Sequence, residues 1–263
     1  MNVPLERWIW HPITLMEHPR ELLPLGDCEV QIWRVFVEQQ PFDLQTLHAI
    51  LSLDEQERAA GFVFERDRDR YIIARGVLRV LLSHYLGIAP DRLSFCYGSY
   101  GKPELSPTQS KQTVRFNVSH SRGVILYAVT RDRHVGIDVE YIRRDFPCEE
   151  IAQKFFAPEE HAILHQIPIA MRYPVFFSCW TRKEAYIKAM GKGLSLPLHQ
   201  FTVSMLPGEP ARLLSTQWAR QEAHRWLLQE LIPASDYVGA LAVEGQDCRA
   251  KLLEISVDNS GKI

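Results

Sequence analysis

Along the chain the spacing of apolar residues alternates between a period of two and one between three and four. Residues 29–37 carry Val30, Ile32, Trp33, Val35, Phe36 and Val37 ahead of Pro41, a β-branched and aromatic run that predicts a strand. Ser52-Leu-Asp-Glu55 has capping-box spacing: a side-chain oxygen meets the free N–H groups of a first turn, and a glutamate three residues on reaches back. A helix is predicted from Leu53. Over residues 64–86, Tyr71, Ala74, Leu78, Leu81, Leu82 and Tyr85 recur at helical spacing, and Gly87 closes the run. Strands are predicted over 114–118 and 124–130, joined by the polar turn Ser119-His-Ser-Arg-Gly123, with a third over 134–141. The second half predicts helices over 148–156, 158–166 and 173–191, then strands at 201–204, 226–231, 237–243 and 252–257. Strands and helices grouped in this way in both halves define an α+β (α/β) chain. Residues 1–27, with Pro4, Pro12, Pro19 and Pro24, read as an irregular leader packed by Trp8 and Trp10, and no chemistry is assigned to them.

The 263 residues are 46% hydrophobic and 24% charged, enough for a sizeable core, and the length fits one large domain or two halves. The net charge of −2 excludes the broad positive field that draws a whole domain onto nucleic acid or an anionic membrane, so any recognition of phosphate is local. Five cysteines without a Cys-x-x-Cys pair argue against a disulfide framework or a structural zinc site and point to a reducing, cytoplasmic setting. Glu6 and Arg7 stand where a signal peptide needs an apolar run, and no stretch approaches the roughly 18 apolar residues of a membrane span. Arg58, Arg66, Arg68, Arg70, Arg75 and Arg79 crowd one region, partly offset by Glu57, Glu65, Asp67 and Asp69; this is either a salt-bridged surface or a site for an anion.

Two segments carry candidate chemistry. In Val135-Gly-Ile-Asp-Val-Glu140 the strand alternation turns Ile137 and Val139 to one side and Asp138 and Glu140 together to the other. Two carboxylates held close raise one another's pKa or take a cation, and hard divalent ions favour such oxygen donors; a solvated strand edge is the plain alternative. In the predicted helix, Trp180, Glu184 and Lys188 fall at i, i+4 and i+8 and share a stripe, which by itself reads as a surface ion pair. Ser-His-Ser at 119–121 lacks an orienting acid and a nucleophile elbow, so Ser121 does not read as a nucleophile.

Both segments, in this order, resemble the signatures of the Sfp-type 4′-phosphopantetheinyl transferases, a Gly-Ile-Asp-x-Glu strand and a Trp-x-x-Lys-Glu-Ala-x-x-Lys helix. The resemblance also takes in Tyr100-Gly-Lys-Pro103, Phe116-Asn-Val-Ser-His-Ser121, Phe155-Phe-Ala-Pro-Glu-Glu160 and Gly191-Lys-Gly-Leu-Ser-Leu-Pro197. It implies two similar α/β subdomains related by a pseudo-two-fold, residues 1–133 and 134–263, with the site between them in a monomer. It implies transfer of the phosphopantetheine arm of coenzyme A to a serine of an acyl or peptidyl carrier protein, releasing adenosine 3′,5′-bisphosphate. Residue by residue, it implies Mg2+, or Mn2+ in its place, held by Asp138, Glu140 and Glu184, and coenzyme A held by Arg58, Lys102, Ser119, His120, Lys183 and Lys188. Lys188 and Lys183 then stabilise charge on the pyrophosphate, and Glu160, with the adjacent Glu159 as the alternative, is the acid positioned to take the proton of the serine or of an intervening water. Glu55 departs from the family pattern, which has a basic residue there, so that cation is either missing or supplied by another group such as Arg66 or Arg70. Arg143, Arg144 and the helix from Cys148 are the expected docking surface for an acidic carrier. The same acids would also serve a metal-dependent phosphoester hydrolase, and a silent paralogue binding coenzyme A or carriers is the non-enzymatic alternative.

Overall fold

Two sheets lie face to face, each backed by one long helix. The computed structural model describes residues 9–15, 23–39, 41–109 and 114–257. One sheet runs, in spatial order, β1 (His11–Thr14), β12 (Arg249–Ser256), β2 (Glu29–Phe36), β6 (Val124–Arg131) and β5 (Val114–Ser121). The other runs β10 (Trp226–Leu231), β11 (Tyr237–Glu244) and β7 (Val135–Tyr141). Two hairpins stand apart, β3 (Phe95–Tyr97) with β4 (Pro103–Leu105), and β8 (Phe201–Val203) with β9 (Leu213–Thr216).

Strand alternation builds the layers. Trp33 and Val35 on β2, with Ile125, Tyr127 and Val129 on β6, face α3 (Glu65–Leu86), which buries Val77, Leu78, Leu81 and Leu82 against them. Val30, Ile32, Leu126 and Ala128, one residue out of phase, meet Ile137, Val139, Leu241 and Val243 of the second sheet. The far side of that sheet, through Leu228, Ala240 and Ala242, packs on α6 (Ile169–Met190). With both faces covered, β6 reads Val-Ile-Leu-Tyr-Ala-Val without polar alternation, and only its last residue is partly exposed.

The same connectivity occurs twice. After β2 come α1 (Leu44–Ala49), α2 (Leu53–Ala60) and α3, then a hairpin whose second strand pairs antiparallel with β2. After β7 come α4 (Cys148–Phe155), α5 (Pro158–Gln166) and α6, then a hairpin whose second strand again pairs antiparallel with the first. The long helices both end on a left-handed glycine, Gly87 and Gly191.

Three expectations are corrected. The leader is not irregular throughout, because His11–Thr14 pairs parallel with β12 and Trp10 stacks on the Arg34 guanidinium at 4.3 Å; Trp8 lies outside the described residues. β12 leaves residues 134–263 as a structural unit and joins the first sheet, parallel to β2, since its Leu253 and Ile255 complete that core. Helix α6 starts at Ile169, one turn before the expected 173, and Pro174 sits inside it, where only the link to the Ala170 carbonyl is lost. Among the described residues no helix is long and apolar enough to cross a membrane.

Helix α6 lies directly on β7 at Gly136, where an added Cβ would fall 2.1 Å from the Ala185 oxygen and 2.4 Å from the Ala189 nitrogen. Both obstacles are helix backbone, which cannot turn aside. Gly136→Ala should therefore lower stability by about 1–3 kcal/mol or more, as overpacking does, read as a lower urea midpoint.

Candidate active site

β5 and β7 end their respective sheets and run side by side without a shared backbone ladder. Side chains close the seam instead. Asn117, Ser119 and Ser121 share one face of β5 through the two-residue strand period. Asn117 Oδ1 accepts the Ile137 N–H at 2.8 Å, Ser119 Oγ the Val139 N–H at 3.3 Å and Ser121 Oγ the Tyr141 N–H at 3.1 Å.

Between these rungs stand the acids. Asp138, 4% exposed, accepts at Oδ1 from Ser119 Oγ at 2.8 Å and from Lys188 Nζ at 2.6 Å, while its Oδ2 is buried with no hydrogen-bond partner. Glu140 accepts from Ser121 Oγ at 2.8 Å. The close approach at Gly136 brings Glu184 and Lys188 of α6 over the same strand, and Lys188 also donates to Ser119 Oγ at 3.0 Å and to the Ile137 carbonyl at 3.3 Å. An open pocket of about 350 Å³ gathers Ser119, His120, Asp138, Glu140, Glu184 and Lys188, with Val118 and Trp180 as its apolar wall. Trp180 is set by stacking on Phe176 at 5.9 Å.

The pocket is short of positive charge. Burial, then the Asp138 charge, with Glu140 adding to them, push the Glu184 carboxyl up to about 7 despite Lys188. Burial and Asp138 raise Glu140 as well, against the Ser121 hydrogen bond and Lys188. Among the described residues no three His, Cys, Asp or Glu side chains stand close enough together to grip an ion as they are placed. Oxygen donors in this number, one of them buried and unpaired, nevertheless suit a hard divalent ion.

Four of the expected site residues lie elsewhere. Lys183 is fully buried and donates to the Leu198 and Phe201 carbonyls at 2.8 and 2.5 Å, off the pocket lining. Glu160, 1% exposed, is its ion-pair partner at 2.7 Å and accepts the Ala157 and Val203 N–H groups, both at 2.9 Å, which places it in the interior and not on the pocket lining. Lys102 ties the β3–β4 hairpin to the Val135 and Lys188 carbonyls at 2.9 and 2.8 Å, and burial lowers its pKa to about 8. Arg58 is exposed on α2, 5.5 Å over the Tyr71 ring and away from the pocket. Of the substitutes for a cation at Glu55, Arg70 pairs with Glu38 at 2.5 Å and Arg66 lies beside Asp67 at 3.9 Å, 74% exposed. Glu55 itself is buried, caps α2 through the Ser52 N–H and pairs with Arg75 and Arg79 of α3. Asn117 and Ser121 escaped sequence reasoning, although their signal was present: polar residues at every second position of β5 running past Val118, where a turn was expected.

The class these features define is an α/β protein with three carboxylates, a lysine and a histidine sharing one pocket. The profile of the 4′-phosphopantetheinyl transferase superfamily matches residues 134–242, and that of the 4′-phosphopantetheinyl transferase N-terminal region matches residues 38–131. The 4′-phosphopantetheinyl transferase HetI of Nostoc sp. is 40% identical over 232 residues, 88% of this chain and 94% of the relative. A 4′-phosphopantetheinyl transferase of Bacillus subtilis is 32% identical over 157 residues, 60% of this chain and 67% of its own length. Sfp of Bacillus subtilis strain 168 is 29% identical over 158 residues, again 60% and 67%. The chain belongs to the 4′-phosphopantetheinyl transferase superfamily and is an enzyme of that class.

Two measurements check the buried pairs. Glu160→Gln leaves the Lys183 charge uncompensated in the interior, at a cost of about 3–5 kcal/mol, with little change in kcat for the fraction that stays folded. A base in the reaction would show the reverse, full stability and kcat down by roughly 10²–10⁴. For Glu55, burial alone would raise the carboxyl, but Arg75 and Arg79 together hold it below its usual 4.5. Between those two values the unfolded chain binds the extra proton, so the stability Glu55 contributes is complete above the usual value and is lost as pH falls through the depressed one. The urea midpoint of the wild type should drop on acidification below about pH 5, and Glu55→Gln should start lower and lose less over the same interval.

Proposed function

We propose that the chain transfers the 4′-phosphopantetheine arm of coenzyme A to a serine hydroxyl of an apo acyl or peptidyl carrier protein, with Mg2+ held by Asp138, Glu140 and Glu184. The observation that carries this reading is Asp138 Oδ2, buried and unpaired beside two further carboxylates, in a chain that matches HetI over 88% of its length. A buried acceptor without a partner costs about 1–3 kcal/mol, and a bound cation recovers that cost. The residues fit such an ion, which when bound neutralises phosphate oxygens of the pyrophosphate.

In the transfer, the serine oxygen bonds to the phosphorus bearing the pantetheine arm. The bond from that phosphorus to the bridging oxygen breaks, its electron pair leaving with adenosine 3′,5′-bisphosphate, and the serine proton is released. The Lys188 ammonium commits its three N–H bonds to Asp138, Ser119 and the Ile137 carbonyl; the last, at 3.3 Å, is the longest and is the one a phosphate oxygen replaces. Ser119 gives its proton to Asp138 and takes part through Asp138 and Lys188. His120, on the pocket wall and exposed, offers a ring N–H to a coenzyme A phosphate. The exposed Arg143 and Arg144, just past β7, receive the acidic carrier, and five free cysteines suit a cytoplasmic setting.

Incubation of an apo carrier with coenzyme A, Mg2+ and the chain should add one phosphopantetheine by intact mass, and EDTA should stop the gain. Asp138→Ala and Glu184→Ala should each slow transfer by roughly 10²-fold or more. No mass gain on any of a panel of acyl and peptidyl carriers overturns the reading; release of adenosine bisphosphate without a carrier replaces it with hydrolysis.

A further inference from the structure

Two hydroxyls on β5 are wired alike. Ser119 Oγ accepts the N–H of Val139 and donates to Asp138; Ser121 Oγ accepts the N–H of Tyr141 and donates to Glu140. In each, the amide belongs to the residue directly after the acid. The repeat comes from two strands of period two lying in phase, so that each serine meets one acid and the next backbone amide.

A seryl hydroxyl has one proton and two lone pairs. The amide takes a lone pair, which turns the O–H toward the carboxylate and leaves the hydroxyl a fixed donor. Ser119 has a further duty, because it also accepts from Lys188. Among the described residues Ser121 Oγ accepts no hydrogen bond from a cationic side chain, and its hydroxyl is the hydrogen-bond donor that holds the Glu140 carboxylate. A glutamate side chain free to turn would lose rotamer entropy on binding an ion, a loss already met when the carboxylate is held.

We propose that Ser121 is a positioning residue: its hydroxyl, oriented by the Tyr141 amide, fixes the Glu140 carboxylate for metal binding. The role rests on the metal reading given above. Asn117 provides the internal comparison, since it closes the same seam on the Ile137 amide, with its hydrogen bond to that amide and none to a carboxylate among the described residues.

The test titrates the full chain with Mn2+, reading the free ion by its electron paramagnetic resonance signal, alongside urea unfolding and the Mg2+ dependence of transfer. Ser121→Ala should weaken Mn2+ binding about tenfold and raise the Mg2+ needed for half-maximal transfer by a similar factor, with kcat at saturating Mg2+ nearly kept. Ser121→Thr, which retains the hydroxyl, should restore both. Asn117→Ala should lower the urea midpoint and leave Mn2+ affinity within about twofold of wild type, because it removes a rung without freeing an acid. Unchanged Mn2+ binding in Ser121→Ala, or equal weakening in Asn117→Ala, overturns the positioning role alone. A wild-type chain that binds no Mn2+ overturns the metal reading and this role with it.

Discussion

The seam between β5 and β7 is the constraint on which the site depends. Two sheet edges meet there, and edges present unpaired amides that must find acceptors. A backbone ladder would have merged the two sheets into one. Asn117, Ser119 and Ser121 supply the acceptors from their side chains instead, so the amides of Ile137, Val139 and Tyr141 are satisfied while the sheets remain separate. Each serine then has a proton left to give, and the residues that receive it are Asp138 and Glu140. The same six bonds that join the halves and aim Lys188 therefore also orient two acids.

Charge in the pocket is deliberately out of balance by the chemistry of its parts. Three carboxylates and one lysine share a half-buried wall, and burial with mutual repulsion lifts Glu184 to about 7. Elsewhere the chain matches its buried charges closely: Glu55 with Arg75 and Arg79, Glu160 with Lys183, each with extra backbone hydrogen bonds. Removing one partner from such a pair would be costly, because it leaves the other charge buried and uncompensated. The pocket differs from these two clusters in holding a buried carboxylate oxygen, Asp138 Oδ2, without a hydrogen-bond partner among the described residues.

Much of this was legible in the residues. Period two set Asp138 and Glu140 on one side of a strand, period four set Glu184 and Lys188 on one stripe of a helix, and the structure brings both sets to one pocket. What stayed hidden were contacts between distant segments. Lys183 and Glu160 are spelled as part of a motif, but their surroundings come from the carbonyls of Leu198 and Phe201 and the amide of Val203, which no spacing announces. Likewise β1 and β12 pair across nearly the whole chain, with Thr14 and Ser256 hydroxyls 3.0 Å apart at a separation of 242 residues. Local patterns report which face a side chain takes and not what closes over that face.

Glu55 shows how a departure in sequence becomes sense in structure. Read along the chain it is an acid where a phosphate pocket wants a base. In space it is the counter-ion of the buried Arg79 and the half-buried Arg75 of α3, both against the ring of Phe95, where Arg79 also reaches the Pro90 and Leu93 carbonyls. Removing its charge would leave the Arg79 guanidinium uncompensated in the interior, so the position is fixed by packing before any ligand is considered. Arg75 and Arg79 are in turn committed to that carboxylate, so neither basic residue facing Glu55 is left over for an anion from outside.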